Sequence, residues 1–241
     1  MCSTCGCGHP EVPNGTVAHH PHPEDARRVA VERSILEEND HHAEALRKRL
    51  AARGIEAIGL LGGPGSGKTT LLEATLDRLG AEAASQAAVE GDCAGDLDAR
   101  RVAARGARVV QVVTGAVCHL DAHLVAHALE ELDLAGVSRL WIENVGNLVC
   151  PAPFACGETR RALLVSTAEG DDKPEKYPAM IAGADLLVIT KIDLLPHVDF
   201  DPARCAAAAR TVKPGLPVIQ LSARTGEGMD AWMKWAREGR A

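Results

Sequence analysis

Aromatic residues are scarce in this 241-residue chain, basic residues are outnumbered by acidic ones, and long apolar runs are missing. Phe, Trp and Tyr make up 2% of a chain that is 46% hydrophobic, so the core must be Val, Leu, Ile and Ala, as in a parallel sheet covered by helices. A formal net charge of -7 argues against nucleic acid or an anionic membrane as a partner. No apolar run approaches the length of a membrane span, and the N-terminus lacks the features of a signal peptide. We therefore expect a cytoplasmic protein.

Eight cysteines in a cytosolic chain favour metal binding or redox chemistry over disulfides. Cys2, Cys5 and Cys7 lie close together among small residues, so this segment can fold around one soft cation. Removal of the initiator Met would expose the α-amine of Cys2 as a fourth donor. Three thiolates and an amine suit square-planar Ni²⁺, or Zn²⁺ in a tetrahedral arrangement. The alternative is a reactive tail whose thiols simply oxidise.

The sequence divides into three regions: a metal-binding Cys/His tail and linker, a helical extension, and an α/β domain, which span residues 1–23, 24–54 and 55–241. The linker histidines, His19-His20-Pro21-His22, either buffer a transition metal weakly or belong to a solvated linker. Asn39-Asp40 offers an N-cap that would split the extension into two helices. We interpret His41-His42 as part of an exposed helix face.

The stretch Gly62-Gly63-Pro64-Gly65-Ser66-Gly67-Lys68-Thr69 fits G-x-x-x-x-G-K-[ST] and follows an apolar, strand-like run. Its glycines let the backbone turn and aim N–H groups at a polyphosphate at the positive end of the next helix. Lys68 would contact the β and γ phosphates, Thr69 would bind Mg²⁺, and Thr70 completes the predicted phosphate site. The alternative is a glycine-rich turn with a chance Lys-Thr. The predicted fold class is α/β, a P-loop NTPase with a mostly parallel sheet flanked by helices.

Two acidic residues lie at the ends of predicted strands that come after the P-loop. Asp92 ends the second strand, where a carboxylate can hold Mg²⁺ directly or through water. Glu143-Asn144-Val145-Gly146 places an acid near Mg²⁺ and a glycine N–H against the γ-phosphate. Lys68, Thr69, Asp92 and Glu143 are therefore the predicted catalytic residues.

Two expected features of fast nucleotide switches are missing. No threonine occurs between Thr75 and Thr114, so Asp92 or Asp96 must replace the usual switch threonine, or the switch works differently. Asn147 stands where fast switches have a water-positioning glutamine, and the motifs show no arginine finger. We expect slow turnover.

A second group of metal donors lies beside these motifs. Cys118 and His119 are adjacent, and Cys150 follows Gly146 by four residues. If the three converge, an ion that they hold is tied to the segment that moves when the γ-phosphate leaves. The alternative is that Cys150 and Cys156 are ordinary loop residues. We interpret Cys93, Cys156 and Cys205 as structural.

Two late motifs indicate a guanine base. Thr190-Lys191-Ile192-Asp193 resembles Asn-Lys-x-Asp, whose aspartate accepts hydrogen bonds from guanine N1–H and the exocyclic amine, while the lysine lies against the base. Ser222-Ala223-Arg224 is similar to the Ser-Ala-Lys loop whose backbone contacts guanine O6. Thr190 removes a structural amide but leaves the discriminating carboxylate of Asp193. GTP and GDP are the predicted ligands.

Together these motifs resemble the HypB family, P-loop GTPases of the SIMIBI class that help to insert nickel into [NiFe]-hydrogenase. The resemblance rests on the terminal thiols and the P-loop together with Glu90-Gly91-Asp92, Cys118-His119-Leu120-Asp121-Ala122, Glu143-Asn144-Val145-Gly146-Asn147-Leu148, Asp172-Lys173-Pro174, Lys176-Tyr177-Pro178 and Lys191-x-Asp193. The chain departs from the family at Gly95, Thr190 and Arg224.

The resemblance implies a tight nickel site at Cys2, Cys5 and Cys7. It also implies a weaker nickel or zinc site at Cys118, His119 and Cys150, at or near a nucleotide-dependent homodimer interface. The implied partners are a HypA-type nickel carrier and the hydrogenase large-subunit precursor.

Three alternatives stay open. A urease-type nickel-insertion GTPase usually carries Cys-Pro-His, whereas Cys118 precedes His119 directly. A nickel store with a vestigial nucleotide fold would bind many weak ions insensitive to GTP. A small-molecule kinase gives no reason for Lys191 and Asp193.

Overall fold

A parallel β-sheet forms the centre of the fold. The computed structural model describes residues 23–92, 95–115 and 117–238, without the side chains of 23–28 and 30. In this part of the chain the strands are β1 Glu56–Gly62, β2 Gln86–Asp92, β3 Arg108–Val113, β4 Arg139–Glu143, β5 Arg160–Ser166, β6 Leu186–Thr190 and β7 Val218–Gln220. They form one sheet in the order β3-β2-β4-β1-β5-β6-β7, and every neighbouring pair is parallel.

Except between β4 and β5, which a loop joins, these parallel strands are connected by helices. They are α1 Pro23–Ala51, α2 Lys68–Leu79, α3 Leu97–Ala103, α4 Ala122–Ala128, α5 Lys173–Lys176, α6 Pro178–Gly183, α7 Pro202–Val212 and α8 Met229–Arg237. Short 3₁₀ helices span Gly80–Ser85 and Ile192–His197. The predicted fold class, an α/β P-loop NTPase with a parallel sheet flanked by helices, is confirmed. No helix among the described residues is both long and apolar enough to cross a bilayer.

The core is aliphatic, as the low aromatic content predicts, with two tryptophans as the main exceptions. Both Trp141 and Trp232 are fully buried, and each indole N–H has a partner. Trp232 Nε1 donates to Thr75 Oγ1 at 2.8 Å, and Trp141 Nε1 donates to Gln86 Oε1 at 3.1 Å. A buried indole keeps its hydrophobic contribution when its N–H is hydrogen-bonded in this way.

The chain divides into two units between Ile35 and Leu36. In the first unit, Val29, Val31 and Ile35 are exposed. The predicted tail ligands Cys2, Cys5 and Cys7 and the linker histidines lie outside the described residues.

The predicted break in the helical extension at Asn39-Asp40 is wrong, because α1 continues through both residues. The Asn39 side chain is buried and makes tertiary hydrogen bonds instead of capping a helix. Its Nδ2 donates to the carbonyl of Ala155 at 3.0 Å, and its Oδ1 accepts from the N–H of Ala122 at 3.0 Å. Asn39 therefore ties α1 to the first residue of α4 and to the loop before β5.

We expect Asn39→Ala to lower the free energy of unfolding by about 2–4 kcal/mol, because it leaves the backbone groups of Ala122 and Ala155 without their partner. Urea denaturation monitored by tryptophan fluorescence measures this change. Asp40→Ala, at the exposed neighbouring position, is the matched control and should change stability by less than about 0.5 kcal/mol. Equal effects of the two substitutions would show that the Asn39 hydrogen bonds do not stabilise the fold.

Candidate functional site

Two adjoining cavities lie at the carboxyl edge of the sheet, where parallel α/β proteins bind ligands. The larger, of about 530 Å³, is bordered by residues of the P-loop and by the ends of β2 and β4. The smaller, of about 230 Å³, lies between the 3₁₀ helix after β6 and the loop after β7. Gly67, Thr70 and Lys191 line both cavities, so one elongated ligand can occupy the two together.

The P-loop forms a tight turn between β1 and α2. Gly67 adopts a left-handed conformation with φ of 93° immediately before α2. A Cβ on Gly62 would lie 2.5 Å from Ser66 Oγ and 2.6 Å from the carbonyl oxygen of Leu164, so no larger residue fits there. Lys68 is 6% exposed, and its ammonium donates to the carbonyls of Gly62 and Gly63 at 3.4 Å each. These long contacts leave a buried charge that a phosphate would satisfy better.

Beside Lys68 lies a buried group of carboxylates. Thr69 Oγ1 donates to Glu143 Oε1 at 2.8 Å. Glu90 and Glu143 occupy paired positions on β2 and β4, and both are buried. Glu90 Oε1 and Glu143 Oε2 have no hydrogen-bond partner among the described residues. Burial raises the pKa of Glu143, and burial together with the charge of Glu143 raises the pKa of Glu90 well above its usual value.

This donor set fits Mg²⁺, which prefers oxygen ligands in a compact site. Asp92 also lines the larger cavity, so the predicted magnesium ligands Thr69, Asp92 and Glu143 are brought together. Sequence reasoning did not assign a role to Glu90. The signal was present, since Glu90 is an acid directly after the apolar run Ala87-Ala88-Val89, but its pairing with Glu143 depends on strand register.

Arg101 is a second residue that sequence reasoning missed. It lies on α3 and lines the larger cavity together with Asp98. Its guanidinium bonds to Asp98 Oδ1 at 2.6 Å and to the carboxylate of Glu73. Asp96, the other predicted substitute for a switch threonine, instead pairs with Arg100 at 2.6 Å near the surface.

The predicted base-binding residues line the smaller cavity. Lys191, Asp193, Ser222, Ala223 and Arg224 all contribute to its wall. The Asp193 side chain is 17% exposed and lies 4.0 Å from the guanidinium of Arg224, which is 83% exposed. A carboxylate lining an otherwise largely apolar wall can select a ligand that offers two donors.

Thr190 replaces the expected asparagine without losing the connection to the P-loop. Its hydroxyl donates to the carbonyl of Ser66 at 2.6 Å. Lys191 has a left-handed backbone with φ of 59°, and its carbonyl accepts from Thr167 Oγ1 at 2.9 Å. Thr190 therefore provides a hydrogen bond between the base loop and the P-loop.

The segment after β4 contacts the P-loop. A Cβ on Gly146 would lie 2.9 Å from Pro64 Cα, so the two backbones touch. The N–H of Asn147 donates to the carbonyl of Gly62 at 3.1 Å. Gly146 also lines the larger cavity, as expected for a glycine whose N–H reads a phosphate.

The asparagine side chains of the same segment contact the loops that carry the cysteines. Asn144 Oδ1 accepts from the N–H of Leu120 at 2.8 Å, and its Nδ2 lies 3.7 Å from Cys156 Sγ. Asn147 Oδ1 accepts from the N–H of Cys150 at 3.3 Å, while its Nδ2 donates to the carbonyl of Cys118 at 3.5 Å. Asn147 thus bridges two cysteine loops. Its side chain therefore has a different role from the water-positioning glutamine that fast switches have at this position.

The predicted donors Cys118, His119 and Cys150 lie on these neighbouring loops. His119 packs against Phe154 with ring centroids 4.1 Å apart and an interplanar angle of 32°. Burial lowers the pKa of its imidazole, which favours the neutral form that binds metals. Its Nδ1 is buried with no partner in the part of the chain described. In that same part, no three His, Cys, Asp or Glu side chains form a group that could hold an ion, so one copy does not assemble the set.

The remaining described cysteines have the character of core residues. Cys156 is buried, its thiol donates to the carbonyl of Leu120 at 3.2 Å, and burial raises its pKa well above the usual value. Burial also raises the pKa of Cys205 to about 12. Both thiols therefore stay protonated, whereas a metal ligand is a thiolate. Cys93 lies outside the described residues.

Comparison with known proteins gives a consistent result. Residues 56–220 match the family described as CobW/HypB/UreG, nucleotide-binding domain. The chain is 48% identical over 223 residues to a hydrogenase maturation factor HypB of Azotobacter chroococcum, covering 92% of this chain and 73% of that protein.

Solved structures agree with the sequence comparison. The crystal structure of a hydrogenase maturation factor HypB from Archaeoglobus fulgidus has a TM-score of 0.77 and 39% identity, covering 83% of this chain and 98% of the other. HypB from Helicobacter pylori, solved in complex with nickel, also has a TM-score of 0.77, with 32% identity and coverage of 83% and 93%.

We expect Glu90→Gln to stabilise the protein free of Mg²⁺ and nucleotide at pH 7 to 8, by several degrees in Tm. Because the pKa of Glu90 is raised in the fold, the folded state binds more protons than the unfolded state, and stability falls as the pH rises above about 4.3. The gain should disappear towards pH 4, where both states are protonated. Calorimetry across this range measures it, with Glu131→Gln at an exposed position as control. A gain independent of pH would contradict the assignment.

Proposed function

The chain belongs to the CobW/HypB/UreG family and, within it, to the HypB hydrogenase maturation factors, and on this premise we propose that it is a GTP-hydrolysing nickel metallochaperone for [NiFe]-hydrogenase. The proposal has two parts. Nucleotide state controls how nickel is held, and hydrolysis leads to release of nickel to a partner. The partners are a HypA-type nickel carrier and the hydrogenase large-subunit precursor.

The observation that carries the proposal is the double set of contacts made by residues 143–147. Glu143 and Gly146 line the larger cavity, where the phosphates would bind. The side chains of Asn144 and Asn147 form hydrogen bonds with the backbone of the loops that contain Leu120, Cys118 and Cys150. A displacement of this segment must therefore change both sites together. Such a shared element is what physical coupling between two sites requires.

The phosphate side of the mechanism follows from the residues in the larger cavity. Thr69, Asp92 and Glu143 would hold Mg²⁺, whose charge neutralises the β and γ phosphates. Lys68 exchanges its long contacts with the carbonyls of the P-loop for the phosphates. The N–H of Gly146 contacts the γ-phosphate, and this contact is lost when that phosphate leaves.

The metal side depends on assembly. Cys118, His119 and Cys150 supply soft and borderline donors that suit nickel or zinc. Because a single described chain does not gather three donors into one group, we propose that a second copy completes the site in a nucleotide-dependent homodimer. Cys2, Cys5 and Cys7 are proposed as a separate, tighter nickel site.

Slow hydrolysis is part of the proposal. Arg101 lines the larger cavity, and its guanidinium is hydrogen-bonded to the carboxylates of Asp98 and Glu73. The Asn147 amide is engaged by backbone groups of the cysteine loops. Neither side chain is therefore placed to stabilise the transition state or to orient water, and intrinsic turnover should stay low until Arg101 is released.

We expect Asp193→Asn to lower GTP affinity by about 10- to 100-fold and to shift the preference towards xanthosine triphosphate. Guanine offers two donors to the carboxylate, whereas xanthine has a carbonyl in place of the amine and can accept from an amide. Competition of each nucleotide against a fluorescent GDP analogue measures both affinities. Asp199→Asn, at an exposed position in the following loop, serves as control. Unchanged base preference would contradict guanine recognition by Asp193.

We expect Asn147→Ala to uncouple nickel binding from the nucleotide. In a Cys2→Ser/Cys5→Ser/Cys7→Ser background, nickel affinity should differ between GDP and a non-hydrolysable GTP analogue by roughly 5- to 150-fold, the usual range of coupling. Asn147→Ala should bring this ratio close to one, because it removes the bridge between Cys118 and Cys150 while the backbone bond to Gly62 persists. Thiolate-to-nickel absorption during titration measures the affinities.

Two controls make this experiment specific. Val149→Ala changes an exposed side chain in the same loop and should keep the full ratio. Lys68→Ala should remove hydrolysis but leave nickel binding at Cys2, Cys5 and Cys7 of the otherwise unaltered chain. If the Cys2→Ser/Cys5→Ser/Cys7→Ser protein with Asn147 intact binds nickel equally well with either nucleotide, the result would favour a nickel store and contradict a nucleotide-controlled chaperone.

A further inference from the structure

Three histidine rings meet on the surface where α1 passes α4. His123 and His127 lie one helical turn apart on α4, with ring centroids 4.6 Å apart and an interplanar angle of 83°. His42 on α1 approaches His123 with a centroid distance of 5.5 Å and an angle of 57°. All three side chains are exposed. They come from two segments that are far apart in the sequence, and the proposed function uses none of them.

Hydrogen bonds fix the backbones that carry these rings. Three residues before His42, the buried Asn39 accepts from the N–H of Ala122, the first residue of α4. Seven residues after His42, Arg49 donates to the carbonyl of Ala126 at 3.4 Å. Residues 36–51 of α1 are therefore held beside α4, and the fold brings the three histidine positions within reach of one another.

The ring spacing matches that of imidazoles sharing one ion. With metal–nitrogen bonds of about 2.0–2.1 Å and tetrahedral angles, two ligating rings have centroids roughly 5 Å apart. The observed distances of 4.6 and 5.5 Å lie on either side of this value. Two histidines four residues apart on one helix face are also a known chelating arrangement.

A carboxylate supports one of the rings. Glu130 Oε2 lies 3.5 Å from His127 Nδ1. A carboxylate on one ring nitrogen orients the imidazole and leaves the other nitrogen for a metal, as in carboxylate–histidine–zinc arrangements. The His127 side chain is 62% exposed, so this second nitrogen can reach an ion from solvent.

From these observations we propose that His42, His123 and His127 form a further site for a divalent transition-metal ion of the nickel, copper and zinc class. The nitrogens do not yet converge in the described residues, where no group of three ligands is preassembled. Rotation of exposed side chains, which is fast, completes the set. Three imidazoles without a thiolate make a weaker and more exchangeable site than the cysteine sites. The site needs no nucleotide.

The test uses the full chain and Zn²⁺ as the probe. After one equivalent of Zn²⁺ has filled the tighter thiol site, further Zn²⁺ is added while the ring nitrogens are followed by ¹H–¹⁵N NMR. We expect coordination shifts at His42, His123 and His127 together, and none at His197, an exposed histidine after β6. The same shifts should occur in Lys68→Ala, which separates this site from the proposed nucleotide control.

Matched variants give the affinity. His42→Gln and His123→Gln should each weaken this binding event on the order of tenfold, the loss of about 1.4 kcal/mol per ligand, whereas His197→Gln should have no effect. All these positions are exposed, and unchanged circular dichroism confirms folding. Absence of shifts at the three rings would overturn the proposal. Binding by His123 and His127 with no effect of His42→Gln would overturn the three-ligand assignment.

Discussion

The buried hydrogen bond between Thr69 and Glu143 joins the start of α2 to the end of β4, and the rest of the site depends on it. Lys68 and Glu90 lie beside this bond, and together with Glu143 they make three ionisable groups almost fully removed from water. Buried charges without full partners are costly, so the fold maintains this edge of the sheet in a state that a polyphosphate and a cation improve. A ligand that binds at this edge therefore also stabilises the folded state.

Those loops explain how a phosphate contact can reach the cysteines. The segment after Glu143 lines the larger cavity and also contacts the P-loop and the cysteine loops. Gly146 touches Pro64, and the next residue, Asn147, uses its backbone on Gly62 and its side chain on the two cysteine loops. Because one residue contacts the P-loop and both cysteine loops, the γ-phosphate could influence the proposed metal site through only two adjacent residues, Gly146 and Asn147.

Contiguous motifs were predictable from the sequence, whereas contacts between distant segments were not. Asp92 and Glu143 end strands, and the P-loop and Asp193 come directly after strands, so their place at the carboxyl edge follows from the parallel sheet alone. Glu90 and Arg101 escaped notice because their roles depend on strand register and on the packing of α3. Asn39 is a residue type that favours helix N-caps, but in the fold its side chain makes tertiary hydrogen bonds instead. From the sequence, Thr190 indicates the loss of a structural amide, whereas in the structure its hydroxyl donates to the carbonyl of Ser66.

The incomplete donor set within one chain strengthens the argument for coupling. A site that one copy filled alone would hold nickel regardless of what the nucleotide does to the assembly. If two copies share Cys118, His119 and Cys150, the affinity for nickel includes the free energy of dimer formation, and any ligand that favours the dimer also favours nickel. Hydrolysis would then release the ion by weakening the assembly, with little change in the ligands themselves. Asn147 is suited to this coupling, because its side chain forms hydrogen bonds with both cysteine loops while its backbone is bonded to the P-loop.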